Sequence, residues 1–430
     1  MTSVLLSDLA ASQASPAWTF DAARPPEHVA TLWKGAGFAR RIFADGSSSY
    51  IVKVINCRAA LSSVHVDSYK VEQCFYDQGL SEVCVAAGAT VPMCYLCGEV
   101  PIAEGAVAAV ANSNKRKKKK MKKKNTKKAK TKTMRGNSEV MMEDVCPALG
   151  SNPRFYSVMT DLSVFYPTIA EDLVPTQAAA ALSWMAKFHG HFTGTLGKLS
   201  TSPDRALQSR ELRGLWWCGT HWTLERTRHM LAAMERTFDK EYRARLVKEH
   251  QGLCSSPGVA ALGKRLHAAA EALHARLQQL HPKNKSHWYT LLHGDLKGAN
   301  IALGCPSESE VEAAVFDFQW TGAGLGAQDV AYFFISAADP TSLAREEELL
   351  RQYYQERKSR ARGGHGSPMS WKEFVEIYEI AFLDMMRWLC AYGLWGGPAE
   401  RWALEKADAL LARIDDGKPA SPGVYASAWA

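Results

Sequence analysis

The sequence predicts an α+β chain of two lobes, a small mostly β N-terminal lobe and a larger mostly helical C-terminal lobe, and three observations lead there. Short apolar runs bounded by turn residues, Ser49–Ile55 and Phe155–Leu162 among them, read as strands and fall before about residue 160. Beyond that point apolar residues recur at helical spacing: Thr227, Leu231, Met234 and Phe238 form one stripe, and Leu262, Leu266, Leu273, Leu277 and Leu280 another. The third observation is a pair of segments with polar residues set beside apolar runs, Leu291 to Leu303 and Ala314 to Gln319.

A chain of 430 residues is long enough for two lobes and a sizeable core, and 47% hydrophobic residues rule out general disorder. The expected organisation is a loosely held lead-in over 1–26, an N-lobe over 27–160 and a C-lobe over 161–417. A flexible tail over 418–430 follows, and a Lys-rich insertion at about 111–138 interrupts the N-lobe. Set against the net charge of +8, the 14 Lys and Arg between Lys115 and Arg135 leave the rest of the chain at −6. The basicity therefore belongs to one tract that repels itself and buries no apolar face. With no aromatic residue in it to stack on a base, nucleic acid is not expected as a partner beyond weak non-specific contact. No secretory signal and no membrane span are expected, and ten scattered cysteines suit a reduced interior. A cytoplasmic protein is the simplest reading, with nuclear import one use open to the Lys-rich tract. Cys94 and Cys97 are the one close cysteine pair, without the second pair or histidines that a zinc site wants.

Taken in order, Leu32 to Phe38 precedes Arg40 to Phe43, an Asp45-Gly46 turn follows, and the strand run Ser49 to Ile55 completes a hairpin. Gly35 and Gly37 at its entry permit close backbone approach, which suits a cover over nucleotide phosphates, and Arg40 or Arg41 would add positive charge. Lys53 lies inside the apolar strand, where its ammonium needs water, an acid or a ligand. The next segment, Val66 to Tyr76, reads as a helix that places Glu72 inward, so that a Lys53–Glu72 pair would aim the lysine at phosphates. Met159 to Leu162, including Asp161, is the expected inter-lobe connector whose backbone would meet an adenine; Met141 to Val145 is a rival.

In the C-lobe, Pro175 opens a helix that runs through Phe188 and His189. Further on, Asp295 and Asn300 are five residues apart with Gly298 and Ala299 between, so a tight loop brings a carboxylate and an amide carbonyl towards one point. Asp317 arrives from the neighbouring strand. Three oxygen donors suit a hard divalent cation such as Mg2+. In that arrangement Asn300 and Asp317 are the metal ligands and Asp295 orients an accepting hydroxyl, while Lys297 offsets negative charge on a transferring phosphoryl group. Asx turns alone would also account for Asp295 and Asn300. Asp339-Pro340 and Ser370-Trp371-Lys372-Glu373 mark two later helix starts.

His293-Gly294-Asp295 with Asn300, followed by Asp317-Phe318-Gln319, resembles the paired motifs of the aminoglycoside-phosphotransferase and choline-kinase-like superfamily, and within it the ecdysteroid-kinase-like branch. Gly294 and Gln319 stand where true protein kinases carry Arg and Gly. Glu72, Phe75 and Tyr76 are similar to the family's helix, and Asp329 to its buried acid that braces the catalytic loop. Thr160 departs from the Glu usual in the connector. The resemblance implies a protein-kinase-like fold, ATP and Mg2+ as cofactors, and transfer of the γ-phosphate to a hydroxyl of a small-molecule alcohol. A choline-like amine, a steroid or an aminoglycoside-like alcohol would each serve. Trp320, Asp384, Trp388, Tyr392 and Trp395 offer aromatic faces and an acid for such an acceptor, or pack as ordinary core. A catalytically inactive nucleotide-binding scaffold and a protein kinase are the competing functions. Oligomeric state is not legible in the sequence.

Overall fold

A computed structural model describes residues 24, 26–32, 36–44, 48–55, 63–99, 155–193, 214–250, 252–253, 255–279, 289–305, 310–360 and 369–430. Gly35, the Lys-rich stretch at about 111–138, the rival connector Met141 to Val145 and nearly all of the lead-in lie outside these residues. The chain divides into two units, one running to Val66 and over Tyr95–Met159, the other over Asp67–Cys94 and Thr160–Ala430. The first is β-rich and small, the second larger and helical, the division expected of a protein-kinase-like fold.

In the first unit a five-stranded sheet has the order β1-β2-β3-β5-β4, formed by β1 (Glu27–Thr31), β2 (Gly37–Phe43), β3 (Ser49–Ile55), β4 (Cys94–Glu99) and β5 (Phe155–Thr160). β1 and β2 are antiparallel, as are β2 and β3, whose register sets Phe38 against Val54, Arg40 against Val52 and Ile42 against Tyr50. Alternation along β3 therefore sends Tyr50, Val52 and Val54 to one face, where Ile42, Val158, Phe38 and Leu96 join them in a core. Lys53 belongs to the other face. The expected extra charges at the hairpin are engaged in the sheet itself: Arg41 pairs with Glu27 at 3.0 Å and the Arg40 guanidinium lies 4.8 Å from the Phe38 ring centre.

The second unit begins with most of α1 (Ser63–Asp77) and with α2 (Leu80–Ala86). Residues 67–94, inside the span expected for the N-lobe, thus cluster with the second unit, where Phe75 of α1 stacks on Phe318 with ring centres 3.9 Å apart and planes within 5°. The remaining strands are β6 (Thr168–Ile169), β7 (Tyr289–Leu292), β8 (Ile301–Gly304), β9 (Glu312–Val315) and β10 (Gly322–Leu325). They form a β6-β8-β9 sheet and a β7-β10 pair. The longer helices are α3 (Pro175–Phe192), α4 (Leu231–Glu241), α5 (Leu262–Gln279), α6 (Gly326–Ser336), α7 (Glu346–Arg360), α8 (Trp371–Tyr392) and α9 (Glu400–Asp415). α8 is the hub, packed on α4, α5 and α6, and it starts on the expected capping box, with the Glu373 amide donating to Ser370 Oγ and the Ser370 amide to Glu373. Asp339 caps its helix as expected by accepting from the Ser342 amide at 2.7 Å.

The tail departs from the expected flexible segment. Residues Pro422–Ala428 form α10, whose Tyr425 is fully buried and donates to Asp415, a carboxylate that also takes two bonds from the buried Arg265 at 2.8 Å. An Ala- and Ser-rich composition hides the one aromatic anchor that fixes this segment. Among the described residues, no helix is long and apolar enough to cross a membrane.

Candidate active site

β7 ends at Leu292 and hands the chain to His293-Gly294-Asp295 at the core of the larger unit. Gly294 is the required residue at this turn. Its φ is +85°, and a Cβ there would lie 2.1 Å from the Trp320 carbonyl oxygen and 2.8 Å from the Thr220 nitrogen. Asp329, fully buried on α6, accepts from the His293 amide at 2.7 Å and from the Gly294 amide at 3.0 Å. His189 Nε2 lies 3.2 Å from the same carboxylate, and Tyr353 lies 2.8 Å from the other ring nitrogen. Donation to Asp329 leaves Nδ1 to accept the tyrosine hydroxyl, which makes His189 a neutral tautomer, in keeping with burial, which lowers its pKa. The acid assigned to bracing thus holds two consecutive backbone amides of the loop.

Asp295 is nearly buried, and both of its oxygens have partners. Tyr332 donates to Oδ1 at 2.7 Å, and Lys297 Nζ lies 2.7 Å from Oδ2. Burial, reinforced by the Asp295 charge, raises the Tyr332 pKa well above its usual value, so the phenol stays a donor. Asn300 closes the loop as the five-residue spacing predicts, its amide nitrogen donating to the Asp295 carbonyl at 2.8 Å and reaching Oδ2 at 3.4 Å. Because that nitrogen is committed, the amide oxygen is the end left to act as a ligand.

Asp317 follows from β9. The β8-β9 register pairs Ile301 with Val315, and the Phe316 amide donates to the Asn300 carbonyl at 3.2 Å, which brings the second segment alongside the first. Asp317 has φ +74°, a left-handed backbone that is uncommon outside glycine, and accepts from Gln319 Nε2 at 2.6 Å. His293 links the two segments: Nε2 donates to the Phe316 carbonyl at 3.0 Å, and Nδ1 accepts the Asp295 amide at 3.3 Å. Both contacts require the neutral ring, which burial also favours by lowering its pKa. The expected structural role of His293 has this geometry behind it.

Lys53 is buried on β3 and Glu72 is buried on α1. Gly37 opens β2, where a Cβ would come 1.9 Å from the Val54 carbonyl oxygen, so strand packing already accounts for it. Met159 is buried near the end of β5, and Asp161 caps the following turn by accepting from the Ser163 amide and hydroxyl. Asp384 is corrected as an acceptor-binding acid: it is buried and bonded to Arg387 Nε at 2.7 Å, so its charge is already neutralised inside the core.

Two residues escape sequence reasoning. Tyr332 carried a signal, since it sits one helical turn beyond Asp329 and so shares its face. His221 carried none. Its ring is half-buried and in contact with Trp222, Trp320, Tyr332 and Trp388.

The model of the ecdysteroid kinase-like family matches residues 219–360, the stretch that holds both candidate segments. No curated protein matches the chain. Among solved structures, a microcompartment-associated aminopropanol kinase is similar at 14% identity over 100% of this chain and 98% of that one, with a TM-score of 0.43. An amicoumacin kinase, solved with AMP-PNP and Ca2+, is similar at 12% identity over 98% and 95%, with a TM-score of 0.44. A macrolide 2'-phosphotransferase from Brachybacterium faecium is similar at 14% identity over 95% and 97%, with a TM-score of 0.36.

Proposed function

We propose that the protein is an ATP-dependent phosphotransferase that moves the γ-phosphate to a hydroxyl of a small molecule. The observation that carries this reading is the closed Asp295–Asn300 loop with the Asp317 segment hydrogen-bonded alongside it. Asp295, fixed by Tyr332 from one side, orients the acceptor hydroxyl and takes its proton on Oδ2. Lys297, whose side chain is 41% exposed and paired with Asp295, would turn to a phosphoryl oxygen as the hydroxyl replaces it. The donor set fits Mg2+, because the Asn300 amide oxygen and the Asp317 carboxylate are hard oxygen ligands; they would hold the cation. When bound, Mg2+ neutralises charge on the phosphates. Lys53 is assigned to those phosphates, supported by its position as a buried ammonium on an apolar strand.

A small acceptor is favoured over a protein. α6 starts at Gly326, only nine residues after Asp317, and β10 fills much of that interval, so no long substrate-binding segment intervenes. Beside Tyr332 lies an aromatic surface made by Trp388, Tyr392 and Trp395, of which Tyr392 is 55% and Trp395 44% exposed. Asp384, the acid expected to meet a cationic amine, is already paired with Arg387, and the Arg226 guanidinium lies 4.6 Å from the Trp216 ring centre. An uncharged amphipathic alcohol is therefore the acceptor class we assign.

The test is ATP turnover across a library of metabolite alcohols. An acceptor should emerge among neutral amphipathic alcohols, and Asp295→Ala should lower its phosphorylation by about 10²–10⁴-fold. Nucleotide binding with no transfer to any alcohol would mean a scaffold instead.

A further inference from the structure

The side chain of Gln319 bridges an acceptor and a donor. Its Nε2 donates to Asp317 Oδ1 at 2.6 Å, and its Oε1 accepts, at 3.4 Å, the hydroxyl of Ser68, a buried residue of α1. The amide can be turned only this way, because its oxygen so close to a carboxylate oxygen would set two acceptors together. A tip that donates on one side and accepts on the other belongs to Asn or Gln, and Asn is one methylene shorter. Glutamate at this position would bring a second anion against Asp317, and methionine would fill the space while making neither bond.

The backbone of Gln319 is fixed independently of its side chain. Its carbonyl accepts from Trp216 Nε1 at 2.8 Å. Trp216 is in turn tied to the chain that follows, its amide donating to the Thr321 carbonyl at 3.1 Å and its carbonyl accepting from the Ala323 amide at 3.3 Å. The Trp216 ring stacks on Trp320 with centres 5.6 Å apart and an interplanar angle of 15°. The Thr321 amide donates to the Phe318 carbonyl at 3.3 Å, which closes residues 318–321 into a turn. Asp317 lies just ahead of that turn, on a backbone of φ +74°. A short bond from a held amide to one oxygen of a carboxylate is charge-assisted and fixes the plane of the group.

From the Gln319–Asp317 bond, the hold of Trp216 on the Gln319 carbonyl and the reach of Ser68 to its amide oxygen, we infer that Gln319 is a positioning residue for the cation, fixing the plane in which the Asp317 carboxylate meets Mg2+. This rests on the proposed role of Asp317 as a ligand. Gln319 itself donates to the carboxylate and is no ligand in this arrangement.

The experiment titrates the full chain with Mn2+, a paramagnetic stand-in for Mg2+, in the presence of ADP, and follows the free ion by its EPR signal. ADP affinity in EDTA and the metal-free Tm are measured beside it. Gln319→Met should lower Mn2+ affinity about 10–100-fold while ADP affinity in EDTA changes by less than about two-fold. The metal-free Tm should stay near that of the parent. Gln319→Glu keeps the length but sets an acceptor against Asp317, so its Mn2+ affinity should fall as well. Unchanged Mn2+ affinity in Gln319→Met overturns the inference, and so does a loss of metal-free ADP binding and Tm in step with Mn2+, which would make Gln319 a packing element. Tighter Mn2+ binding in Gln319→Glu overturns it too, by making position 319 a ligand. Asp317→Asn, run in parallel, separates the two claims: full Mn2+ affinity in that variant defeats the assignment of Asp317 itself, whereas its loss beside normal binding in Gln319→Met defeats only the positioning role.

Discussion

Asp295 and Asp317 stand on adjacent segments of one unit, yet they are held in different ways. Asp295 is pinned by polar contacts: Asp329 takes the His293 and Gly294 amides, Asn300 closes the loop, and Tyr332 and Lys297 hold the carboxylate. Asp317 is set instead by its neighbour. Phe318 is fully buried against Phe75, Phe188 and His293, and the backbone beside that anchor bends into the left-handed region. A residue proposed to handle a proton thus sits on a hydrogen-bonded platform, whereas a residue proposed to hold a cation sits on a strained bend next to an apolar peg. The first should fail when charge or hydrogen bonding changes, the second when backbone freedom changes.

The largest break in the comparison is Asp329→Ala. It leaves two buried amides and His189 without their acceptor, and should destabilise the protein by about 3–5 kcal/mol in urea denaturation, where an exposed carboxylate would cost almost nothing. Acid is the next probe of the same platform. His189, His221 and His293 are all held neutral by burial, His221 with its pKa down to about 4. A histidine whose folded pKa is lowered binds its proton more readily when unfolded, so stability rises with pH between about 4 and the ordinary value of 6.5 and is lost as pH falls through that window. For the half-buried His221 the loss should be on the order of 2 kcal/mol. Denaturation midpoints measured from pH 7 to pH 4.5 should fall, and His221→Phe should flatten part of the slope; a flat profile in the parent protein would show that the rings are not buried neutral.

What the sequence reveals follows the same divide. Local spacing is legible: Asp295 and Asn300 five apart give the closed loop, Ser370 and Glu373 give the capping box, and period-two alternation puts Lys53 off the apolar face of β3. The division into a small β-rich part and a larger helical part is legible too, because helical and strand periodicities occupy different stretches. Tertiary placement is harder to read. α1 looks like a member of the strand lobe until Phe75 is seen stacked on Phe318, more than 200 residues away. His221 lies in a stretch with no periodicity to flag it, more than 100 residues before the Tyr332 ring that it meets edge-on. Asp384 shows the opposite error, for an acid on a helix face looks available until a neighbour one turn away, Arg387, proves to have claimed it.

The smallest effect sharpens the comparison most, because its two consequences have opposite signs. Asp317→Gly places at φ +74° the one residue that adopts this backbone without steric cost, so it should raise stability by roughly 0.5–1 kcal/mol, offset in part by the lost bond from Gln319. The same change removes a proposed cation ligand, and the Mg2+-dependent part of the thermal shift with ADP should vanish. Asp295→Gly has no such compensation, since Asp295 is outside the positive-φ set and its carboxylate is the partner of Tyr332 and Lys297. Thermal melts of the two variants side by side should therefore move in opposite directions. If both fall equally, the left-handed bend at Asp317 stores no strain, and the contrast between a pinned base and a strained ligand is lost.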